Sequence, residues 1–325
     1  MTQQALSRIR YGADPELFLA KRTVRDKKAT SSTLRYDLKP VPIFGLVGGT
    51  KEEPLPLTAK FPGFEGTKIP NNTFIQEDGT ALEFNVAPAP DTERLLLDCH
   101  HITRAISTFA ERKGLEIWQN HTAPFDQEAK DKAPQAFVVG CSPDFSAYTG
   151  MVRTCPDGVQ NSLTRHAGGH FHIGFDKDLL PSDVVVKFMD LVLGLPSVFI
   201  DKQGLRREYY GQAGSFRDKP YGVEYRTLSN FWVPGVAKVD HSILTHFFRS
   251  AETVMEGIIK DMPSFERLYQ LINWEHVQTA INTENEEMAN QILALAYRTH
   301  AVYMRGAIEA CTYFKGAVGI KKASK

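Results

Sequence analysis

The stretch Gly168-Gly169-His170-Phe171-His172-Ile173-Gly174-Phe175 places two imidazoles two residues apart, with apolar side chains between and after them. Successive side chains of a β-strand point to opposite faces of a sheet. His170 and His172 are therefore predicted to share one face, and Phe171 and Ile173 the other. The alternation predicts a strand with an apolar face for a core and a polar face that carries ionisable groups.

The same spacing occurs in three further strand candidates. They are Tyr11–Leu19, Phe74–Val86, which is expected to form a hairpin around Glu77-Asp78-Gly79, and Val223–Leu228. Their polar pairs are Asp14 with Glu16, Glu83 with Asn85, and Glu224 with Arg226. If the four strands belong to one sheet, as many as four carboxylates and two imidazoles meet on its polar face.

The residue types on this face favour a metal site. Each pair taken alone is also typical of an exposed strand in an antiparallel sheet. Exposed strands usually mix Thr, Lys, Ser and Gln, whereas these pairs consist of carboxylates, histidines, an asparagine and an arginine. Carboxylates crowded at about 4–6 Å resist ionising together, and a divalent cation removes that conflict. Oxygen ligands with one imidazole favour Mg²⁺ or Mn²⁺ over structural zinc.

Two segments predict an anion-binding surface. Gly48-Gly49-Thr50-Lys51 can form a turn whose N–H groups and lysine face an anion, although it lacks the spacing of a P-loop and is also typical of a plain turn. The glycine-rich segment 203–221, interpreted as a loop, carries Arg206, Arg207 and Arg217. An arginine fork matches phosphate oxygens, and a basic surface loop is the alternative. Gly168-Gly169 would allow a ligand to approach the backbone closely.

The remaining pattern predicts a helical C-terminal third and loops elsewhere. Asp91 is expected to cap a helix that Gly114 ends, and Asp240 to cap an amphipathic helix. Ser182 is expected to cap a buried helix through Val184–Leu193. Other expected elements are a short strand at Leu115–Trp118, a loop over 40–72, and helices near 263–273, 284–299 and 300–314.

The composition argues against several classes of protein. The chain has 325 residues with 38 basic and 38 acidic side chains, and this balance argues against nucleic acid as a main partner. No apolar run is long enough for a membrane helix, and the first 20 residues contain no run of signal-peptide type. The 4 cysteines form no CxxC motif, so a cytoplasmic location is expected.

The ordered polar motifs resemble carboxylate–amine ligases of the glutamine synthetase and γ-glutamylcysteine synthetase fold, and in particular the phage-type COOH-NH2 ligase family. The resemblance covers roughly residues 10–235. The motifs that carry it are Tyr-Gly-Ala-Asp14-Pro-Glu16-Leu, Ala-Leu-Glu83-Phe-Asn85, Gly-Gly-His170-Phe-His172-Ile-Gly and Val-Glu224-Tyr-Arg226-Thr-Leu-Ser-Asn-Phe-Trp. Gly-Gly-Thr-Lys and Tyr-Gly-Gln-Ala-Gly-Ser-Phe-Arg add to it.

The resemblance implies an α+β fold with a curved, mostly antiparallel sheet. ATP and two or three Mg²⁺ or Mn²⁺ ions would lie on its concave face, and helices would pack on the other. Residues 1–325 would form a single glutamine synthetase-like catalytic domain, with 236–325 as its helical C-terminal part. The implied reaction forms an amide or isopeptide bond through an acyl phosphate, on an amino acid or peptide. The location would be the host cytoplasm if the chain is phage-encoded.

The resemblance also implies residue roles. The implied metal ligands are Asp14, Glu16, Glu83 with help from Glu77, His170 on the metal that touches the γ-phosphate, and Glu224. The implied catalytic residues are Arg226, which would stabilise the transferred phosphoryl group, Glu83 and Glu224. The implied cofactor-binding residues are His172, Arg206, Arg207, Arg217 and Lys51. Asp14 departs from the Glu-x-Glu pair of more distant relatives, and Pro15 predicts an edge strand or a bulge there.

Two other functions remain open from the sequence. A metallohydrolase would use His-x-His and the carboxylates to activate water. A catalytically inactive binding protein of the same fold would keep the residues without the reaction. The expected partners of a ligase are carboxylate and amine substrates, with a glutamine amidotransferase as an ammonia source and a homo-oligomer left open.

Overall fold

Strands with alternating polar and apolar side chains form the middle of a large antiparallel sheet. The computed structural model describes residues 5–24, 36–57, 72–138, 144–153, 162–204, 206–237 and 239–323. Their strands are β1 (Arg10–Leu17), β2 (Leu19–Val24), β3 (Tyr36–Val41), β4 (Leu55–Pro56), β5 (Phe74–Asp78), β6 (Ala81–Ala89), β7 (Leu115–Ile117), β8 (Thr122–Pro124), β9 (Asp144–Ser146), β10 (Val152–Arg153), β11 (Thr164–His166), β12 (Gly169–Gly174), β13 (Ser215–Lys219) and β14 (Gly222–Tyr225).

Nine of these strands form one open sheet. Their order is β10-β9-β13-β14-β12-β1-β6-β5-β4, and each neighbouring pair is antiparallel. Two smaller sheets have the orders β3-β2-β7 and β11-β8. The prediction of an α+β fold with a mostly antiparallel sheet is confirmed.

β1 is a central strand of this sheet. It has β12 on one side and β6 on the other, so the prediction of an edge strand at Pro15 is wrong. The register irregularity of β1 against β6 falls between Tyr11 and Ala13, just before the proline. Pro15 itself lies opposite Gly169 of β12. A proline therefore occupies a central strand, next to two of the acids.

The helices cover the apolar side of the sheet and make up the C-terminal third. They are α1 (Thr92–Arg112), α2 (Gln127–Lys132), α3 (Ser182–Met189), α4 (Arg206–Tyr209), α5 (His241–Lys260), α6 (Met262–Leu271), α7 (Trp274–Asn282), α8 (Glu286–Thr299) and α9 (Ala301–Ala323). α3 continues as a π-helical segment, Asp190–Gly194, and a last turn, Leu195–Ser197. None of the helices in the described ranges is long and apolar enough to cross a membrane.

Two of the three expected caps are present. Asp91 accepts a hydrogen bond from the Arg94 N–H at 2.7 Å, and Asp240 accepts one from the Ser242 N–H at 3.0 Å. Ser182 does not cap α3, because its hydroxyl donates to Asp218 at 2.7 Å. Side-chain caps therefore fix the starts of α1 and α5, while α3 begins without one.

The loop predictions are wrong in part. Segment 203–221, which was expected to be a loop, contains the short helix α4 and the strand β13. The sequence did not predict β13 because the glycines of this segment obscure the alternation of Ser215–Lys219. β14 ends at Tyr225, so Arg226 lies just beyond the strand. Helix α7 was not predicted, although Asn273 caps it by accepting from the His276 N–H at 3.1 Å. Within 40–72, residues 58–71 lie outside the described residues, as do Cys141 and Cys155.

The apolar face of the sheet packs against α5. Phe171 of β12 stacks on Tyr11 of β1 with ring centroids 5.8 Å apart, and Phe248 of α5 lies 5.1 Å from Phe171 and 5.0 Å from Trp232. Burial of one such aromatic ring stabilises the fold by roughly 1.5–3 kcal/mol. One face of β1 and β12 is thus fixed in the core, and the opposite face must carry the polar pairs. That 1–325 forms one unit stays a prediction.

Candidate functional site

The register of β1 brings its two acids against ionisable partners on both sides. Asp14 lies opposite His170 of β12, and Glu16 lies opposite Glu83 of β6. Directly opposed residues of an antiparallel pair have Cβ atoms about 4.5–5.5 Å apart. The strands therefore place these four side chains in reach of one another on the polar face.

Asp14, His172 and Glu224 form a first acidic group. His172 lies opposite Glu224 of β14, and its Nε2 is 2.8 Å from Oδ1 of Asp14. One ligand atom from each residue lies within 4.8 Å of the other two. Burial alone would raise the pKa of Asp14, but His172 and His170 hold it well below its ordinary value. Burial would lower the pKa of His172, and Asp14 raises it above the ordinary value.

Three cationic side chains surround the buried Glu224. Arg226 pairs with its Oε1, Arg217 lies 3.4 Å from the same oxygen, and Lys219 lies 2.7 Å from Oε2. Burial and the charge of Asp14 would raise the pKa of Glu224, yet Arg226 and the two imidazoles lower it to about 2. The first acidic group is therefore charged and adjoins a cluster of positive groups.

Glu16, Asp78 and Glu83 form a second acidic group. One oxygen from each lies within 4.8 Å of the other two. Burial and the neighbouring carboxylates raise the pKa of Glu83 well above its ordinary value. Gln76 donates to Glu83 at 2.9 Å, and Lys51 pairs with Asp78 at 2.6 Å. Crowded carboxylates of this kind are relieved by a divalent cation with oxygen ligands.

Glu77 does not join the second acidic group. It lies opposite Leu82 in the β5–β6 hairpin, so its side chain faces away from Glu83. Its carboxylate instead accepts hydrogen bonds from the backbone N–H groups of Gly45 at 2.8 Å, Val47 at 2.9 Å and Gly48 at 3.3 Å. Of the anion-binding turn expected over residues 48–51, Gly48 donates to this carboxylate, whereas Lys51 pairs with Asp78.

His170 and His172 both contact Asp14, but their other partners differ. The Nδ1 of His170 is 3.0 Å from Asp14, and its Nε2 is bonded to the Tyr210 hydroxyl, so both ring nitrogens have partners within the protein. His172 lies in the first acidic group and bonds the Tyr221 hydroxyl through Nδ1 at 2.5 Å. His170 thus links Asp14 to Tyr210, and His172 lies beside Asp14 and Glu224, while the metal role expected of His170 stays a prediction.

Arg206 and Arg207 do not reach the site. Both are buried, and burial lowers the pKa of Arg206 to about 10. Arg206 donates to the carbonyls of Ala167 at 3.1 Å and Leu228 at 3.2 Å, and Arg207 donates to that of Gly211 at 3.1 Å. The prediction that they bind phosphate is corrected, because burial and their hydrogen bonds to the protein make them structural.

Gly168 and Gly169 are required by the chain itself rather than by a ligand. A Cβ at Gly168 would lie 2.7 Å from the Tyr210 hydroxyl and would overlap His170. A Cβ at Gly169 would overlap the Ser229 carbonyl. The glycine pair allows close packing beside β12, which corrects the sequence interpretation.

A cavity of about 430 Å³ is lined by Asp14 and Glu224 of the first acidic group, by the three acids of the second group and by the cationic cluster. Its lining also includes Thr164, Arg165 and His166 of β11 and Tyr209 of α4. A neighbouring cavity of about 760 Å³ shares Asp14 with it and is lined by Arg8, Arg10, Asn85, His172 and Tyr221 among others. The smaller cavity therefore brings cation ligands and anion-binding side chains onto one surface.

Three residues of the smaller cavity were missed by the sequence analysis. Asp78 shares the strand parity of Gln76 in the hairpin, and this alternation could have identified it in place of Glu77. Lys219 shares the parity of Arg217 in β13, but the strand was interpreted as loop. Tyr210 begins the Tyr-Gly-Gln-Ala-Gly-Ser-Phe-Arg segment that adds to the resemblance, but no alternation in the sequence indicates a role for this residue.

The fold and this surface define an α+β protein with two candidate cation sites beside a cationic cluster. The family model described as "Phage phiEco32-like COOH.NH2 ligase-type 2" matches residues 158–323, about half of the chain. The protein belongs to this family of carboxylate–amine ligases. No curated protein matches the chain.

The matched region differs from the extent of the resemblance. It begins before β12, includes β13 and β14, and continues through the C-terminal helices, whereas the resemblance had been placed over 10–235. Asp14, Glu16 and Glu83 lie outside it, on strands that pair directly or through β1 with β12. The sheet therefore connects the family region to the acids that complete both groups.

Proposed function

We propose that the protein is an ATP-dependent ligase that joins a carboxylate to an amine through an acyl phosphate, with an amino acid or peptide as a substrate. The observation that carries this proposal is that Asp14, Glu224 and Arg226 line one cavity, in which Arg226 pairs with Glu224. Family membership favours a ligase over the metallohydrolase.

The residues fit the cations that such a reaction needs. Both acidic groups offer hard oxygen ligands, and only the first adds an imidazole, which is the donor set typical of Mg²⁺ or Mn²⁺. Asp14, His172 and Glu224 would hold one ion, and Glu16, Asp78 and Glu83 another. Bound cations would neutralise charge on the phosphates and orient them.

The proposed reaction has two steps. A carboxylate oxygen of the substrate attacks the γ-phosphorus of ATP, and the bond from that phosphorus to the β–γ bridging oxygen breaks to release ADP. The amine nitrogen then attacks the acyl carbon and loses a proton, and the carbon–oxygen bond to phosphate breaks. The products are the amide, ADP and phosphate, because phosphorylation converts a poor leaving oxide into a good leaving group.

The protein's own groups support the phosphoryl transfer. Arg226 is held on one side by Glu224 and on the other by the Tyr210 hydroxyl at 2.8 Å, so its guanidinium is fixed before substrate arrives. Preorganised cations of this kind stabilise charge that develops during transfer. Arg217, Lys219 and Lys51 line the same cavity and are proposed to contact phosphate or carboxylate oxygens.

The test is ATP turnover by purified protein with an amino acid panel. We expect ADP and phosphate release only with Mg²⁺ or Mn²⁺ and a suitable acid and amine, and hydroxamate when hydroxylamine replaces the amine. Glu224→Gln should abolish turnover, and Glu287→Gln, an exposed change on α8, should not. Failure of the wild-type protein to bind ATP with Mn²⁺ at millimolar concentration would refute the proposal. An ammonia-supplying amidotransferase and a homo-oligomer stay proposals.

A further inference from the structure

The Tyr210 hydroxyl connects two members of the first acidic group, Asp14 and Glu224, through one residue on each side. Its oxygen is bonded to Nε2 of His170 and lies 2.8 Å from Nη2 of Arg226. Through His170 it is connected to Asp14, and through Arg226 to Glu224. A single phenol therefore bridges the carboxylate of β1 and the guanidinium beyond β14.

The direction of these hydrogen bonds is set by the outer partners. The Asp14 carboxylate only accepts, so Nδ1 of His170 carries the proton. In the neutral ring Nε2 is then an acceptor, and the Tyr210 O–H donates to it. Arg226 has only donors, so its Nη2 donates to the Tyr210 oxygen. With this tautomer of His170, the hydrogens of the chain Arg226–Tyr210–His170–Asp14 point toward Asp14.

Arg206 holds the ring of Tyr210. Its guanidinium carbon lies 4.6 Å from the ring centroid, and that of Arg226 lies 5.2 Å from it. Two backbone carbonyls fix Arg206, so the tyrosine packs against a rigid surface. Gly211 gives Arg206 its room, because a Cβ there would overlap the guanidinium. Arg206 therefore packs against the ring of Tyr210 and restricts its orientation.

We propose that Tyr210 is the positioning residue that fixes Arg226 relative to the cation-binding carboxylates, and that Arg206 orients Tyr210 for this purpose. Glu224 pairs with Nη1 of the guanidinium, and Oδ2 of Asp144 lies 3.9 Å from its Nε, so neither acid holds Nη2. The second contact from Tyr210 fixes its plane at the wall of the smaller cavity. The kinetic part of this inference rests on the proposed ligase function.

The first test is Tyr210→Phe, which removes the hydroxyl and keeps the ring against Arg206. We expect kcat to fall by about tenfold to a hundredfold, as small misplacements of a reacting group do, while KM for ATP changes less than about threefold. Tyr313→Phe, an exposed tyrosine on α9, is the matched control and should leave both constants unchanged. An unchanged kcat in Tyr210→Phe would overturn the proposal.

A double-mutant cycle separates positioning from general damage. If Tyr210 acts through Arg226, Tyr210→Phe should have little further effect on kcat in an Arg226→Lys background. Losses that simply multiply would show that the tyrosine acts elsewhere and would overturn the proposal.

A crystal structure of Tyr210→Phe gives a readout that needs no activity. The inference expects the Arg226 guanidinium to rotate away from the Tyr210 side while Glu224 stays in place. An unmoved Arg226 would overturn the positioning role even if the protein proved to be a ligase. Conversely, a displaced Arg226 in a protein without ATP turnover would refute the proposed function and leave the positioning contact established.

Discussion

Oδ1 of Asp14 lies 3.0 Å from Nδ1 of His170, the residue directly opposite it in the sheet. The same oxygen lies 2.8 Å from Nε2 of His172, two residues further along β12. One short side chain therefore contacts both imidazoles of the His-x-His motif. The shorter acid, which departs from the Glu-x-Glu pair of more distant relatives, is the centre of the first acidic group.

Asp14→Asn should weaken binding at the first acidic group. The neutral amide removes the charge that Asp14 shares with His172, and metal affinity commonly falls by tenfold or more when such a ligand is lost (about 10–100-fold even for outer contacts). Mn²⁺ titration followed by electron paramagnetic resonance would measure this. Asp131→Asn on the exposed surface of α2 is the control. Equal Mn²⁺ affinity in the wild type and Asp14→Asn would contradict the assignment.

Glu83→Gln should stabilise the metal-free protein and remove its response to metal. The folded protein raises the pKa of Glu83 above its unfolded value, so the protein loses stability as the pH rises through that folded pKa. The amide does not ionise, and a relief of about 1 kcal/mol would raise the melting temperature by roughly 2 °C at pH 8 in EDTA. Thermal unfolding with EDTA and with Mn²⁺ would measure both effects. If Glu83→Gln melted at a lower temperature than the wild type in EDTA, repulsion among the carboxylates of the second acidic group would be excluded as a source of instability.

Glu77→Gln and Asp78→Asn should separate two neighbouring acids by function. Glu77 accepts three backbone N–H bonds, so losing its charge should cost roughly 1–3 kcal/mol of stability and leave Mn²⁺ affinity unchanged. Asp78 belongs to the second acidic group, so its amide should weaken Mn²⁺ binding with a smaller loss of stability. Urea unfolding and Mn²⁺ titration of both variants would measure these effects. Weaker Mn²⁺ binding in Glu77→Gln with unchanged binding in Asp78→Asn would contradict the assignment.

Asp190→Asn should flatten the dependence of stability on pH. Burial raises the pKa of Asp190 from 3.8 to about 6, although Tyr225, Tyr148 and Thr227 donate to it. The folded protein therefore binds its proton more tightly, and stability falls as the pH rises from about 4 to about 6. The shift corresponds to about 3 kcal/mol at most. Urea unfolding across this pH range would measure the slope, and an equal slope in the variant would exclude Asp190 as its cause.

Alternation in single strands was enough to predict the polar face. His170 and His172, and likewise Asp14 and Glu16, are placed by the period of two, and the structure brings both pairs onto one surface. The caps at Asp91 and Asp240 were also readable, because they depend on local hydrogen bonds. Local rules therefore predicted the central strands of the sheet and the starts of α1 and α5, but not α4, α7 or β13.

Which side chains of irregular segments face the candidate site depends on tertiary packing, and the sequence pattern does not predict it. Arg206 resembles a phosphate ligand in a glycine-rich segment, yet tertiary contacts bury it against the carbonyls of Ala167 and Leu228. Glu77 and Asp78 are adjacent, and only the hairpin register reveals which one faces Glu83. Tyr210 has no periodic neighbour, so its place between His170 and Arg226 follows from the folded chain alone.

Each acidic group draws its members from strands that are far apart along the chain, with Asp14 and Glu224 as the widest case. The first group can assemble only when β1 has paired with β12 and β12 with β14, whereas the second needs only β1, β5 and β6. Cation binding at the first group is therefore unavailable to a chain that still lacks β14. Contacts of such long sequence separation also form slowly. Mn²⁺ binding at the first acidic group can therefore report the assembly of the central strands, independent of any catalytic assay.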